Sequence, residues 1–305
     1  EAYYGVHLSL GVPLLISDLS PELTRSLPRN VPTTFGFAAL TEAAAGLGWQ
    51  YPMTMPPPVD TRSNAEQAVN GVGLRSRYGV KNGNVMIVSV ADLSDAMIAD
   101  SLIRAIEAIR ILGQNLPLKL VIVGEGKARV DLQTRADAAN RHLYREAVIL
   151  TGAMPDPREA YAAADIVLGR GGSALRGLAF GKPLVVMGTQ GFAAAFTQTT
   201  APGFLRTGIH GIGDGTSGSR AMLDALRPLA QRPQLRAQLG PFGRDFVLQN
   251  HDLRQVASQL SAFCNHAMIS AASRKGDLVD AARTAFYFLR ERRFRVAPRD
   301  PVPSR

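Results

Sequence analysis

Cysteine is nearly missing: Cys264 is the one thiol in 305 residues, which excludes a disulfide within the chain and a cysteine-based metal cage. It lies in the amphipathic stretch SQLSAFCNHAMI without a histidine partner motif, so a structural thiol is expected rather than a nucleophile. Histidine is scarce too. His7, His142, His210, His251 and His266 are scattered, without the spacing that sets two imidazoles on one helix face, so no metal site is expected. Long apolar runs are lacking: nothing approaches the ~18 residues of a membrane span, and the N-terminus lacks a charged region followed by an apolar core. A cytoplasmic protein is expected. The first residue is Glu1, leading directly into a helix-like segment, and the expectation is an N-terminally partial chain. The formal charge of +9 is concentrated at one end, because from Arg274 onward nine Lys or Arg face four acids, leaving +4 for the rest. No nucleic-acid partner is expected from so mild a surplus on the body.

What is present is alternation. VPLLIS, SPELTRSL, VPTTFGF, ALTEAAAGL and WQYPMTM switch between β-branched runs and helical patterns, as βα units of a mainly parallel sheet do. SPELTRSL and ALTEAAAGL are predicted helices. The prolines of PPPVDTRSN, residues 56–64, cannot continue a helix or a central strand, so a domain boundary is predicted there. A second set follows: strand NVMIVSV, a helix with Ile98, Leu102, Ile106, Ile109 and Leu112 on one face, strand LKLVIVG, helix KARVDLQTRADAANRHL, strand AVILTG, short helix DPREAYAAA, strand DIVLG, helix SALRGLAF and strand PLVVMG. Five strands alternating with helices predict a doubly wound domain, and ligands of such sheets bind beyond the carboxyl ends of the strands. The organisation expected is an incomplete α/β domain over residues 1–62, a Rossmann-like domain over 63–266, and a C-terminal helix with a basic, disordered tail over 267–305. The Gly-rich GIHGIGDGTSGS is expected to be a surface loop rather than a ligand lid.

The segment AADIVLGRGGSALRGLAFGKPLVVMG, residues 163–188, carries the most chemistry. A buried strand runs into Gly169, Arg170, Gly171 and Gly172, and Ser173 stands where a helix N-cap belongs. Glycines admit a ligand close to the backbone and a helix N-terminus offers N–H groups, an arrangement suited to phosphate. Arg170 and Arg176 could add charge-assisted bonds to a diphosphate. The alternative is a tight turn whose glycines serve packing alone. Gly169, Gly171 and Ala174 also satisfy GxGxxA, but this turn opens the fourth crossover rather than the first and no acid follows at the ribose distance, so a nicotinamide dinucleotide fails on context. No Walker loop is completed at Gly126-Lys127-Ala128 or Gly181-Lys182-Pro183. A second turn with Gly124 and Gly126, in VGEGKAR, ends a strand on the same sheet edge; it either lines the same cleft or is an ordinary strand-to-helix connection.

VIVGEGKAR followed by VILTGAMPDPREAYAAADIVLGRGGSALRGLAFGKPLVV resembles the C-terminal half of the group-one, family-four-like glycosyltransferases of GT-B fold, a likeness running from about Pro13 to Phe263. The resemblance implies two Rossmann-like domains, a nucleoside-diphosphate sugar held mainly by the second, an acceptor of unidentified nature held mainly by the first, and no metal cofactor. It is a divergent likeness. The family's two glutamates fall on Leu168 and Arg176, and the basic residues usual after the first strand of this domain are missing from VADLSDAMIADS. The contacts of those groups to sugar, ribose and diphosphate therefore do not carry over. Arg170 and Arg176 are the expected replacements, with Gly169, Gly171, Gly172, Ser173, Gly124 and Gly126 as the backbone of the donor site. No catalytic base is identified; His7, in an apolar helix-like stretch, is expected to be structural. Beside a glycosyltransferase stand a degenerate relative acting as a binding or partner subunit and, third, a sugar-nucleotide epimerase. The tail RERRFRVAPRDPVPSR offers a weak peripheral contact with an acidic membrane surface.

Overall fold

A computed structural model describes residues 2–216, 218–270, 277–294 and 299–300. The chain divides into two compact units: Glu1–Pro58 with Leu205–Gly208 and Leu253–Arg305, and Val59–Phe204 with Ile209–Asp252. The first break coincides with the proline-rich connection. The division differs from the sequence expectation at the other end, because the helix starting at Leu253 groups with the N-terminal unit instead of continuing the second domain.

The first unit begins with a π-helical stretch, Ala2–Leu8, and holds β1 (Ile16–Asp18), β2 (Leu23–Thr24), β3 (Thr33–Phe35), α1 (Ala38–Gly46) and β4 (Pro52–Thr54). Strands β1, β3 and β4 form a parallel sheet with β3 in the middle. Its core is Leu23, Phe35, Leu40, Ala44 and Trp49, with the Arg29 guanidinium 4.7 Å above the Trp49 ring. SPELTRSL is not a helix. Leu23 and Thr24 pair instead with residues 299–300, a long-range contact that local periodicity does not encode.

The second unit follows in the order α2 (Val72–Arg77), β5 (Val85–Val90), α3 (Ala96–Leu112), β6 (Leu118–Val123), α4 (Arg129–Leu143), β7 (Val148–Gly152), α5 (Arg158–Ala163), β8 (Ile166–Gly169), α6 (Gly171–Ala179), β9 (Leu184–Met187), β10 (Ala193–Ala195), α7 (Ala201–Thr207), α8 (Arg220–Gln231) and α9 (Pro233–Asn250), the end of α7 passing into the first unit. Its sheet has the order β10-β9-β8-β5-β6-β7, parallel except for β10, which turns back antiparallel along β9 and adds a sixth strand to the five expected. Both faces are covered, which explains the continuous apolar runs. Ile87, Leu120, Ile122, Leu168 and Val185 pack under α3, α4 and α8, whereas Met86, Val88, Val121, Val167 and Val186 pack under α5, α6 and α9. All five apolar positions expected on α3 are buried in it. Helix α9 continues through Pro241.

The chain then returns to the first unit as α10 (Leu253–Ser270), α11 (Asp277–Phe294) and β11 (Arg299–Asp300), the last paired with β2. The Asp280 carboxylate accepts from the Arg29 N–H at 2.7 Å, the Asn30 N–H at 3.2 Å and the Tyr3 hydroxyl at 3.4 Å. The tail expected to be disordered from Arg290 is thus helical as far as Phe294 and strand at residues 299–300. Residues 295–298 and 301–305 lie outside the described residues.

Candidate functional site

In the second unit β5 comes first, β6 and β7 are added on one side of it, and β8 and β9 on the other. Strand order therefore reverses between β5 and β8, and the loops leaving their carboxyl ends diverge into a crevice. One lip is residues 91–95, leading into α3; the other is residues 170–173, leading into α6.

The expected glycine turn forms the second lip, with one correction in its capping. Arg170, in an extended conformation, is the N-cap of α6, and Ser173 sits three residues inside the helix. The Ser173 hydroxyl accepts from the Arg170 N–H at 3.2 Å and donates to the Arg170 carbonyl at 3.0 Å, closing the turn from within. Gly169 serves packing: a Cβ there would press on Ser173 Oγ and the Ala174 nitrogen. Gly171 has φ +49°, a conformation that favours glycine, and its N–H is taken by the Ile209 carbonyl at 2.8 Å. Gly172 is different. It is exposed, a Cβ on it would meet nothing within 4 Å, and among the described residues its N–H has no backbone acceptor. An open backbone donor is therefore offered at Gly172 and not along the whole turn.

Arg170 leans across the crevice. Its Nη1 lies 3.9 Å from Asp95 Oδ2 and donates to Met97 Sδ at 3.7 Å, so it reaches the first lip without a hydrogen bond to oxygen there. The side chain is only 21% exposed. Arg176 is exposed on α6 one turn beyond Gly172 and on the same face. Its charge acts on the fully buried Tyr161 phenol, which burial holds above its ordinary value and the arginine opposes. Asp95 was not among the residues singled out in the sequence; its signal was its place just before the apolar periodicity of α3, where its Oδ1 accepts from the Met97 N–H at 2.8 Å as an N-cap.

Gly124 and Gly126 have a structural explanation. Their φ values are +150° and +149°, and a Cβ would collide with the Ala91 carbonyl and with the Leu93–Ser94 backbone, respectively. Bonds from the Ala91 N–H to Val123, the Leu93 N–H to Glu125 and the Ala128 N–H to Leu93 fasten this turn to the first lip. The turn supports the crevice by holding residues 91–94 in place. The Gly-rich segment after α7 is likewise more than a loose loop. The Thr189 N–H donates to Gly211, the Gly213 N–H to Thr189 and the Gly215 N–H to Gln190, and Gln190 itself adopts φ +52°. These bonds tie it to the loop after β9, beside the second lip.

Two other motif positions are structural. Asp165, of the Ala-Asp pair, accepts from the Met86 N–H at 2.7 Å and from Arg75 at 2.9 Å on the opposite sheet edge. Lys182, of Gly-Lys-Pro, is paired with Glu66 at 2.5 Å. Leu168, where the first family glutamate would fall, is fully buried in the core. Among the described residues no group of three His, Cys, Asp or Glu is arranged to hold a metal, and no helix is long and apolar enough to cross a membrane.

A two-unit α/β chain whose second sheet is doubly wound and opens a glycine-lipped crevice at its switch point has the fold of GT-B glycosyltransferases. Residues 84–208 match the family described as Glycosyl transferases group 1. Among solved structures, a glycosyltransferase from Rickettsia africae ESF-5 is similar over 78% of this chain and 64% of its own, at 11% identity and a TM-score of 0.59. Anabaena Alr3699/HepE in complex with UDP and glucose is similar over 85% of this chain and 73% of its own, at 15% identity and a TM-score of 0.63. WaaG, a glycosyltransferase involved in lipopolysaccharide biosynthesis, is similar over 80% and 63%, at 18% identity and a TM-score of 0.55. The chain thus spans less than two thirds of the Rickettsia and WaaG structures. No curated protein matches it significantly.

Proposed function

We propose that the protein transfers a sugar from a nucleoside diphosphate to an acceptor hydroxyl, with the donor's diphosphate lying in the crevice between β5 and β8. The observation that carries this reading is the open Gly172 N–H at the start of α6 beside the half-buried Arg170, at the strand-order reversal of a group-one domain. HepE, solved with UDP and glucose, supports a nucleotide sugar as the donor. In the transfer the bond from the anomeric carbon to the phosphate oxygen breaks, the diphosphate departs with the electron pair, and the acceptor oxygen gives up its proton as it bonds to that carbon. Arg170, Arg176 and the α6 N-terminus present fixed positive potential to the departing diphosphate, which stabilises it without a metal.

Calorimetric titration with UDP, GDP and ADP tests the site. Micromolar binding of one nucleotide is expected, weakened about tenfold or more in Arg170→Ala and less in the more exposed Arg176→Ala, since bonds to a charged group contribute about 1.5–3 kcal/mol. Binding unchanged in both variants would remove the arginines from the site. Leu168 and Arg176, at the positions of the family's glutamates, favour a second reading, a non-catalytic relative that binds without transfer. Nucleotide binding without hydrolysis of any sugar nucleotide by the full protein would select it.

A cytoplasmic location with peripheral membrane contact is part of the proposal. Leu278, Ala282, Phe286 and Leu289 form an exposed stripe on α11, and the last turns of the helix carry Arg290 and Arg293 beside Glu291. An apolar face with a basic end is suited to an anionic bilayer surface. Co-sedimentation with phosphatidylglycerol vesicles that Phe286→Ser with Leu289→Ser abolishes is the expected result; none would confine the protein to solution.

A further inference from the structure

We infer that Asp95 is a counter-ion built into the donor crevice: its carboxylate holds Arg170 when no diphosphate is there, and its charge opposes the diphosphate that replaces it. This rests on the proposed function and deepens it, because it names what limits the grip of the site on its donor and product.

The geometry separates Asp95 from an orienting residue. Its Oδ1 is committed to the Met97 N–H at 2.8 Å, which fixes the carboxylate as the α3 N-cap. Its own N–H reaches the Asp92 carbonyl at 3.4 Å, within a turn closed by the Ser94 N–H on Asp92 Oδ1 at 2.9 Å. Neither bond depends on Arg170. The remaining oxygen, Oδ2, stands 3.9 Å from the guanidinium, near enough to offset its charge and too far to hold it by a hydrogen bond. Arg170 consequently meets the first lip through a charge and a thioether, and its donors stay available to an oxygen-rich ligand.

A diphosphate that takes those donors and the Gly172 N–H must come within several ångströms of Oδ2. Two like charges then share one half-buried crevice, and on the Asp95 side of it Arg170 is the cation that partly offsets the repulsion. Of the other charged side chains near this lip, Asp100 is paired with Arg104 and Glu125 with Arg129, Asp92 lies on the lip itself, and Lys127 is exposed in the turn fastened to it. The lip that would otherwise add cations carries Asp92 and Asp95 and no basic residue between Val90 and Ser101. Such a site releases a spent nucleoside diphosphate more readily than one lined with cations on both sides.

Asp95→Asn is the test, because asparagine caps a helix as well as aspartate and only the charge is lost. With the complete chain, affinity for whichever of UDP, GDP or ADP binds should rise about tenfold, while affinity for the matching uncharged nucleoside stays as it was. The gain should shrink at high salt. Asp95→Ala, which also removes the cap, should lower Tm and so separate capping from charge. If the wild-type chain binds a nucleotide and Asp95→Asn binds it equally or more weakly, Asp95 is not a counter-ion and the proposed donor site stands. If the folded wild-type chain binds none of the three, the proposed function and this inference fall together.

Discussion

Two glycines, one in the turn fastened to the first lip and one on the second, make opposite predictions, because one is required by its neighbours and the other by nothing visible in the fold. Gly124→Ala sets a methyl group against the Ala91 carbonyl at φ +150°, and should cost about 3 kcal/mol and lower Tm by several degrees. Gly172→Ala meets open space and should leave stability within about 0.5 kcal/mol of wild type. It should nevertheless weaken nucleotide binding, since its methyl group occupies the approach to the free N–H. Thermal melts paired with titration check both; a destabilised Gly172→Ala with normal binding would mean that glycine serves the fold after all. At this scale the turn of residues 169–173 is legible because glycine density after a buried strand has few meanings. The division of labour within it is not legible. That Gly171 spends its N–H on Ile209, and that Arg170 rather than Ser173 is the N-cap, depends on residues brought together by tertiary structure.

Among the elements, those of the second unit are legible nearly throughout, since strands covered on both faces read as unbroken apolar runs and α3 repeats its apolar positions at helical spacing. The shortest strands are not, and β2 is the clearest case. Its two residues owe their conformation to a partner more than 270 positions away, whereas Pro21 followed by Glu22 and Leu23 reads locally as a helix start. The crevice has the same origin: Asp95 and Arg170 face each other only because β8 lies beside β5, an adjacency set by topology. The turn after the proline run carries a pH dependence. Asp60 accepts from the Ser63 hydroxyl and from the Ser63 and Arg62 N–H groups, and these bonds hold its carboxyl below the usual range. The turn's stabilisation is accordingly complete above the ordinary carboxylate value and is lost as pH falls through the lowered folded value. Asp60→Asn should blunt that acid-side loss in a pH series of melts.

For the whole molecule, the first unit depends on residues from both parts of the chain. Asp280 is 11% exposed and joins α11 to the 29–30 backbone and to Tyr3, so Asp280→Ala leaves inward-facing N–H groups unpaired and should cost about 3 kcal/mol. Loss of near-ultraviolet signal from Trp49, which lies in that unit's core, should report it. The discontinuity also orders events during synthesis. Residues 1–58 emerge first yet wait for a helix that begins at Leu253, roughly 200 residues and some tens of seconds later at ribosomal rates of about 5–20 residues per second. The nascent first unit therefore spends that interval without the Asp280 carboxylate that ties down its 29–30 backbone and without the strand that pairs with β2, while the second unit has all of its residues before then.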